Sequence, residues 1–391
     1  MRVGTTVFWI VCALCVGTWS PAAAQHSVTY QINPAHTGAV ELRRKLRLPL
    51  REVWSRNLSH QVSYPIVARG KVFVTVGDNL QIAYGTVLYA LDAETGATVW
   101  SKPIAGTYFF SGLAFERGRL FIINVDGLLR ALDPDDGSEM WTTQLPFPSL
   151  FTAPPTAENG IIYLSSYQSG GALYAVNEDD GKLMWWKPIQ INTRGTPTVS
   201  SDGVFISYPC GVYQFDAITG TPRWKNSGPC NGVVGELATA YYSDRAYARA
   251  VDVGNAKAMH VYDARTGDMI GSLQEGVLTP AFRDGVGYFV GAANLTARSV
   301  VSNDLLWSFQ KARRPALPPL VLNGQVIVAS AAGQLFVLDA ASGQVLQKLS
   351  LQTPMPLSDE GMTQVLAGIG VGGGTVFVPA GKQLIALRGA R

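Results

Sequence analysis

The sequence has few charged residues: Asp, Glu, Lys and Arg make up only 15% of 391 residues, and the formal net charge is +3. So small and dispersed a charge predicts neither a nucleic acid nor a charged membrane surface as partner. The chain is also 47% hydrophobic and contains 41 glycines. Low charge with abundant glycine and aromatic side chains argues against disorder and favours an all-β globular protein.

Histidine and cysteine are scarce as well. The four histidines show no paired metal-ligand spacing, no two cysteines are adjacent, and no Cys-x-x-Cys-His sequence occurs. The residues therefore predict no bound cofactor or metal.

Long hydrophobic runs are absent beyond the first 24 residues. Arg2, the apolar run from Val7 to Val16 and the small residues ending at Ala24 have the pattern of a secretory signal peptide. No later run approaches the 18 apolar residues that a membrane helix needs. We predict cleavage near Ala24 and a periplasmic or secreted protein. Neither cysteine in the signal follows the small-residue pattern of a bacterial lipobox, so we expect a soluble protein rather than a lipoprotein.

Two cysteines, Cys210 and Cys230, remain after removal of the predicted signal. An even pair in an exported protein predicts a disulfide. Closing a loop of this size would stabilise the fold by about 3 kcal/mol. The alternative is two free, buried thiols.

One phrase recurs along the chain, most clearly at residues 88–100. An apolar strand runs to Asp92, an Asp-x-x-Thr-Gly turn ends at Gly96, and a short strand follows with Trp100. The Asp oxygen can accept hydrogen bonds within the turn, the glycine can adopt positive φ, and the Trp can cover the gap between neighbouring sheets. Tryptophans occupy this last position at Trp54, Trp100, Trp141, Trp185, Trp224 and Trp307.

The repeats predict a single eight-bladed β-propeller. Each unit of about 40 residues contains four short antiparallel strands, which is the signature of a propeller blade. The last unit lacks a fourth strand, whereas Trp54 belongs to a fourth strand without a unit, so the N-terminal strand should close the last blade. Seven blades are the alternative, because the unit ending at Trp307 is the least regular. We predict a monomer with a signal peptide (1–24), an N-terminal arm (25–50) and a propeller domain (51–391).

The phrase Ala-Leu-Asp-Ala-x-Thr-Gly-x-x-x-Trp resembles the tryptophan-docking repeat of the quinoprotein-like β-propellers, over nearly the whole mature chain. This superfamily includes quinoprotein alcohol dehydrogenases, which use pyrroloquinoline quinone (PQQ) with calcium, and the BamB-like lipoprotein scaffolds of outer-membrane protein assembly. The adjacent-cysteine ring of the enzymes is missing, and none of their calcium-binding or catalytic carboxylates can be matched. The lipid-attachment cysteine of the BamB-like proteins is missing too.

Candidate binding residues lie in the connections between blades, which gather on one face around the axial funnel, where ligands bind in many propellers. Aromatic and charged residues there are His60, Tyr108, Phe110, Phe151, Arg194, Glu236, Arg313 and Arg314. The alternative is that they are ordinary loop residues that cover the disc.

Two functions follow from these observations. The preferred one is an exported, non-catalytic scaffold that binds a protein or a small ligand at the face of the inter-blade loops, because no catalytic set is recognisable. The alternative is a small PQQ-dependent oxidoreductase that acts on alcohols or sugars with calcium.

Overall fold

The computed structural model describes most of the chain from His26 to Gly389, namely residues 26–43, 45–77, 85–106, 112–146, 150–167, 171–189, 195–208, 211–227, 238–251, 257–312, 314–351, 353–357 and 366–389. It contains eight four-stranded antiparallel blades arranged around one axis. The prediction of an eight-bladed β-propeller is confirmed, and the seven-bladed alternative is wrong.

The strands are numbered in chain order. Two precede the first complete blade: β1 (Ala39–Val40) and β2 (Leu50–Asn57). Blades 1 and 2 consist, from the axis to the rim, of β3 (Ile66–Ala68), β4 (Lys71–Gly77), β5 (Gly85–Asp92) and β6 (Thr98–Ala105), then β7 (Ala114–Glu116), β8 (Arg119–Ile123), β9 (Leu128–Leu132) and β10 (Glu139–Gln144). Blades 3 and 4 consist of β11 (Thr156–Glu158), β12 (Ile161–Ser166), β13 (Ala172–Asn177) and β14 (Leu183–Pro188), then β15 (Thr198–Ser200), β16 (Gly203–Tyr208), β17 (Gly211–Phe215) and β18 (Pro222–Ser227).

The second half of the ring repeats this order. Blades 5 and 6 consist of β19 (Ala240–Tyr242), β20 (Arg245–Val251), β21 (Lys257–Asp263) and β22 (Met269–Leu273), then β23 (Ala281–Arg283), β24 (Val286–Val290), β25 (Leu295–Ser299) and β26 (Leu305–Phe309). Blades 7 and 8 consist of β27 (Leu320–Leu322), β28 (Gln325–Ala329), β29 (Gln334–Asp339) and β30 (Val345–Ser350), then β31 (Gly370–Gly372), β32 (Thr375–Ala380), β33 (Gln383–Gly389) and β2.

Burial follows the position of a strand within its blade. Every residue of β12 is buried, because each face of this second strand packs against a neighbouring blade. In the outermost strand β10, exposed side chains alternate with partly buried ones. The hydrophobic core is therefore distributed between blades, in layers such as the one that Trp54, Val72 and Phe377 form between blades 8 and 1.

The N-terminal strand closes the ring, as predicted. β2 pairs antiparallel with β33, with Trp54 opposite Ala386 and Leu50 opposite Gly389. A side chain from blade 7 secures the start of this strand. Gln347 Oε1 accepts from the Leu50 amide at 2.7 Å, and Gln347 Nε2 donates to the Leu50 carbonyl at 2.8 Å.

The repeated phrase forms the joints between blades. Asp92 Oδ1 accepts from the Thr95 hydroxyl and from the Thr95 amide, both at 2.8 Å, and these two bonds lower the pKa of Asp92. The indole Nε1 of Trp54 donates to the Ala93 carbonyl in the next blade at 3.2 Å, and the ring lies over Gly96, whose φ is 70°. The same donation, at 3.0 to 3.2 Å, joins Trp100 to Pro134, Trp141 to Glu178, Trp185 to Ala217, Trp224 to Ala264 and Trp307 to Ala340.

Candidate functional site

The N-terminal arm lies inside the ring, along the innermost strands. Amide groups at the middle of these strands point towards the axis and donate to the arm at 2.8 to 2.9 Å. The pairs are Val67 to the Ser27 carbonyl, Phe115 to Val28, Val199 to Pro34, Tyr241 to Ala35, Phe282 to Thr37, Val321 to Gly38, and Val371 to Ser27 Oγ. Blade 3 is contacted by Thr29 Oγ1, 3.5 Å from the Pro155 carbonyl. The arm thus makes a hydrogen bond to every blade and fills the axial channel.

Both ends of the arm lie on the same side of the disc. We call this side the turn face, because it carries the Asp-x-x-Thr-Gly turns, and the opposite side the connection face, because it carries the links between blades. The arm begins beside Gly372, at the end of β31 that meets the turn face: a Cβ added to this glycine would lie 3.2 Å from His26 Cβ. After circling the channel, the arm pairs as β1 in parallel with β27 and returns to the turn face. There, Glu41 forms an ion pair with Arg283 at 2.6 Å.

The side chains of the arm pack densely in the channel. Tyr30 and Ile32 are almost fully buried, and the Tyr30 ring packs edge-on against Tyr64 with centroids 5.5 Å apart. The backbone is strained at this point, because Ile32 has a φ of 80°, which is unusual for a β-branched residue. Gly38 permits the closest approach: an added Cβ would lie 2.9 Å from Ala281 Cβ.

The imidazole of His36, in the middle of the arm, is completely buried. Its Nδ1 lies 2.9 Å from both the Thr239 carbonyl oxygen and Thr198 Oγ1. Burial lowers the pKa of His36 to about 4, although the contact with Thr239 opposes this. The imidazole is therefore neutral at pH 7, and it serves to bind the arm to blades 4 and 5.

Three of the eight candidate binding residues are described. Phe151 is fully buried, with its ring centroid 5.3 Å from that of Tyr174, so this side chain belongs to the core between blades 2 and 3 and is not available to a surface ligand. His60 is half-buried and Arg314 is exposed, both on the connection face. The other five candidates and the cysteine pair lie outside the described residues: Tyr108, Phe110, Arg194, Glu236, Arg313, Cys210 and Cys230.

Carboxylates cluster on the turn face where blades 2 and 3 meet. Burial, followed by the proximity of Glu178 and Glu158, raises the pKa of Glu116 to about 8. Glu178 has no exposed side-chain surface, and its Oε1 accepts from Arg119 at 3.0 Å. Burial also raises the pKa of Glu158. The cluster therefore retains a proton at neutral pH and joins two blades.

The residues present do not fit a PQQ and calcium site. A flat quinone at the axis would have to occupy space that the arm fills with Tyr30 and Ile32. In the part of the chain that the structure describes, no three His, Cys, Asp or Glu side chains converge as metal ligands. We derive no reaction step through this cofactor. The described residues also contain no helix with the length and hydrophobicity needed to cross a membrane.

The amino-acid sequence is similar to those of several known proteins. Curated relatives named "Outer membrane protein assembly factor BamB" include one from Shewanella oneidensis, 25% identical over 318 residues, which are 74% of this chain and 77% of that protein. Another, from Moranella endobia, is 27% identical over 142 residues, which are 36% of this chain but only 33% of that protein. The chain thus spans about a third of the length of that relative.

Solved structures share the fold at low sequence identity. BamB from Moraxella catarrhalis has a TM-score of 0.64 at 14% identity and covers 87% of this chain and 98% of its own. A quinohemoprotein alcohol dehydrogenase from Comamonas testosteroni has a TM-score of 0.69 at 14% identity and covers 95% of this chain and 82% of its own. These likenesses show the fold alone.

The family assignment comes from a family model described as "Outer membrane protein assembly factor BamB". It matches residues 83–170, 127–274 and 253–391. These overlapping matches extend from blade 1 to the last strand of the ring, so the chain belongs to the BamB family of β-propellers.

Proposed function

We propose that the protein is an exported, non-catalytic propeller that binds other proteins during outer-membrane protein assembly. The observation that carries this proposal is the filled axial channel. Ser27 to Val40 occupy the position where many propellers hold a small ligand, and they make hydrogen bonds to every blade. What remains for recognition is the outer surface of a rigid disc, which suits protein partners better than small molecules.

The relatives support the same role. Those reported above are named as outer membrane protein assembly factors. The alternative, a PQQ-dependent oxidoreductase, has the support of the shared fold only. The arm also agrees with export: cleavage after Ala24 would leave two residues before Ser27, which is already bound to blades 8 and 1.

The proposal is tested by deleting the gene in the bacterium that encodes it. The protein composition of the outer-membrane fraction is then measured by quantitative mass spectrometry. We expect a decrease in β-barrel outer-membrane proteins that a plasmid copy restores. Unchanged levels would contradict the role in assembly.

A second measurement addresses the enzyme alternative. Purified protein is mixed with PQQ and calcium, and its melting temperature and dye-linked oxidation of alcohols and sugars are recorded. We expect neither a shift nor turnover. A raised melting temperature together with turnover would replace the binding role by the catalytic one.

A further inference from the structure

The outermost strand of each blade is a potential pairing edge. Among the described residues this strand pairs on one side only in every blade, so a row of backbone N–H and C=O groups faces the rim of the disc. Such edges recruit other chains unless charged side chains or prolines protect them. The composition of the eight outer strands therefore indicates which edge can accept a partner.

Six of the eight outer strands carry such protection. Each contains at least one charged residue: Arg51 in β2, Lys102 in β6, Glu139 in β10, Lys187 in β14, Lys225 in β18 and Lys348 in β30. Three of these strands also contain a proline: Pro103, Pro188 and Pro222.

The outer strands of blades 5 and 6 have neither charge nor proline. β22 contains Gly271, which weakens a strand. β26 has the sequence Leu-Leu-Trp-Ser-Phe, with no glycine either. Of all the outer edges, that of β26 is the least protected against strand addition.

Exposed apolar side chains lie on this strand, in the turn before it and on the outer strand of the preceding blade. Leu305 and Leu306 are 53% and 51% exposed, and Val301, in the turn before them, is 82% exposed. Met269 and Ile270 of blade 5 are 53% and 50% exposed. We call these five residues the rim patch. Lone exposed apolar residues are ordinary, but five of them on two neighbouring blades whose outer strands carry no charge indicate an interaction site.

The joint between blades 5 and 6 differs from the others in a way that leaves this patch open. Gly271, paired with Val261, occupies the position of the docking tryptophan, and Asn303, with a φ of 62°, replaces the turn glycine over which that tryptophan would lie. Among the described residues no indole therefore lies over the turn of blade 6, in which Val301 is 82% exposed.

We propose that β26 is the docking edge for an extended, uncharged segment of a partner polypeptide. The segment adds as a fifth strand to blade 6 and places its apolar side chains on the rim patch. This inference rests on the proposed function, since it assumes a protein partner. The absence of charge within β22 and β26 favours an uncharged partner segment, because a charged strand would lose hydration along these edges and find no counter-ion on the strands themselves.

The test uses a fluorescent twelve-residue peptide in which valine and threonine alternate, with binding measured by fluorescence anisotropy. The variant Leu306→Lys places a charge on the edge. Its matched control is Met140→Lys, at the same position in blade 2 and 49% exposed. We expect Leu306→Lys to weaken binding about tenfold or more, which corresponds to 1.4 kcal/mol, and Met140→Lys to leave it unchanged. Ser308→Lys, also on the exposed edge, should repeat the effect of Leu306→Lys.

Three results would overturn the docking edge. They are equal weakening by the blade 2 control, peptide-dependent protection from hydrogen exchange at strands other than β26, and a dimer in light scattering that Leu306→Lys converts to a monomer. The proposed function can fail separately. Loss of the gene without an effect on the outer membrane would refute the role in assembly even if the peptide binds β26. Full complementation by Leu306→Lys would refute the edge but not the role.

Discussion

Trp54 lies directly against Gly96: a Cβ added to the glycine would come within 2.6 Å of the indole Cδ2. Trp54 belongs to the strand that closes blade 8, whereas Gly96 belongs to the turn of blade 1. The contact therefore joins the two ends of the ring. Similar contacts between a tryptophan and the turn glycine of the next blade recur at five other joints.

Gly96→Ala should destabilise the protein more than Gly70→Ala. Both glycines have a φ near 70°, so alanine costs about 1 kcal/mol at either position from backbone strain. An alanine at Gly70 meets nothing within 4 Å, but at Gly96 it displaces the indole. We expect a total loss of about 2 to 4 kcal/mol for Gly96→Ala. Urea unfolding of both variants measures the difference, and equal losses would show that the contact with Trp54 is unimportant.

Trp54→Ala should weaken ring closure itself. The indole is 9% exposed, and removal of a buried tryptophan typically costs about 3 to 5 kcal/mol. The neighbouring Val53 is 45% exposed, so Val53→Ala should change stability by less than about 0.5 kcal/mol. Native-state hydrogen exchange should accelerate first in β2 and β33. Uniform acceleration over all blades would argue against a local opening of the closing blade.

The sequence was sufficient to predict the blades because their joints use side chains with repeated spacing. Six of the eight joints combine an acceptor such as Asp92, a glycine such as Gly96 and an indole such as Trp54, and these residues recur about every 40 positions. The closing strand was predictable for the same reason. Trp54 is the tryptophan of a repeat whose first three strands lie at the other end of the chain.

The path of the arm could not be predicted in this way. Its bonds to the blades use mainly backbone groups, such as the Val67 amide and the Ser27 carbonyl, so they leave no pattern of residue types. Gly38 was a weak signal, because its lack of a side chain permits contact with Ala281. The burial of Phe151 could not be predicted either, because an aromatic residue in a connection looks the same in sequence whether it packs on Tyr174 or faces a ligand.

Glu116→Gln should flatten the dependence of stability on pH. The folded protein holds the proton of Glu116 up to a pKa of about 8, whereas an unfolded glutamate releases it near pH 4.5. The folded state therefore binds more protons between these values, and its stability decreases as the pH rises from 4.5 to 8. The glutamine side chain cannot titrate. The free energy of unfolding of the variant should therefore increase relative to that of the wild type as the pH rises. Urea unfolding at pH 5, 7 and 9 measures this, with Glu52→Gln, at an exposed position, as the control. A constant offset across the three pH values would contradict a titrating Glu116.

His36 should affect the pH dependence of stability in the opposite direction to Glu116, and His36→Asn should remove this effect. The folded pKa of His36 is about 4 and the unfolded value is 6.5, so the unfolded state binds the extra proton between these limits. The stability that neutral His36 contributes is therefore complete above pH 6.5 and is lost as the pH falls towards 4, by about 3 kcal/mol in total. Asparagine tolerates the positive φ of 54° at this position and does not titrate in this range. Urea unfolding between pH 4.5 and 7.5 should show wild-type stability falling towards that of the variant as the pH decreases. Parallel curves for the two proteins would mean that the channel does not hold this histidine neutral and that the arm is less firmly enclosed than its contacts with Thr198 and Thr239 indicate.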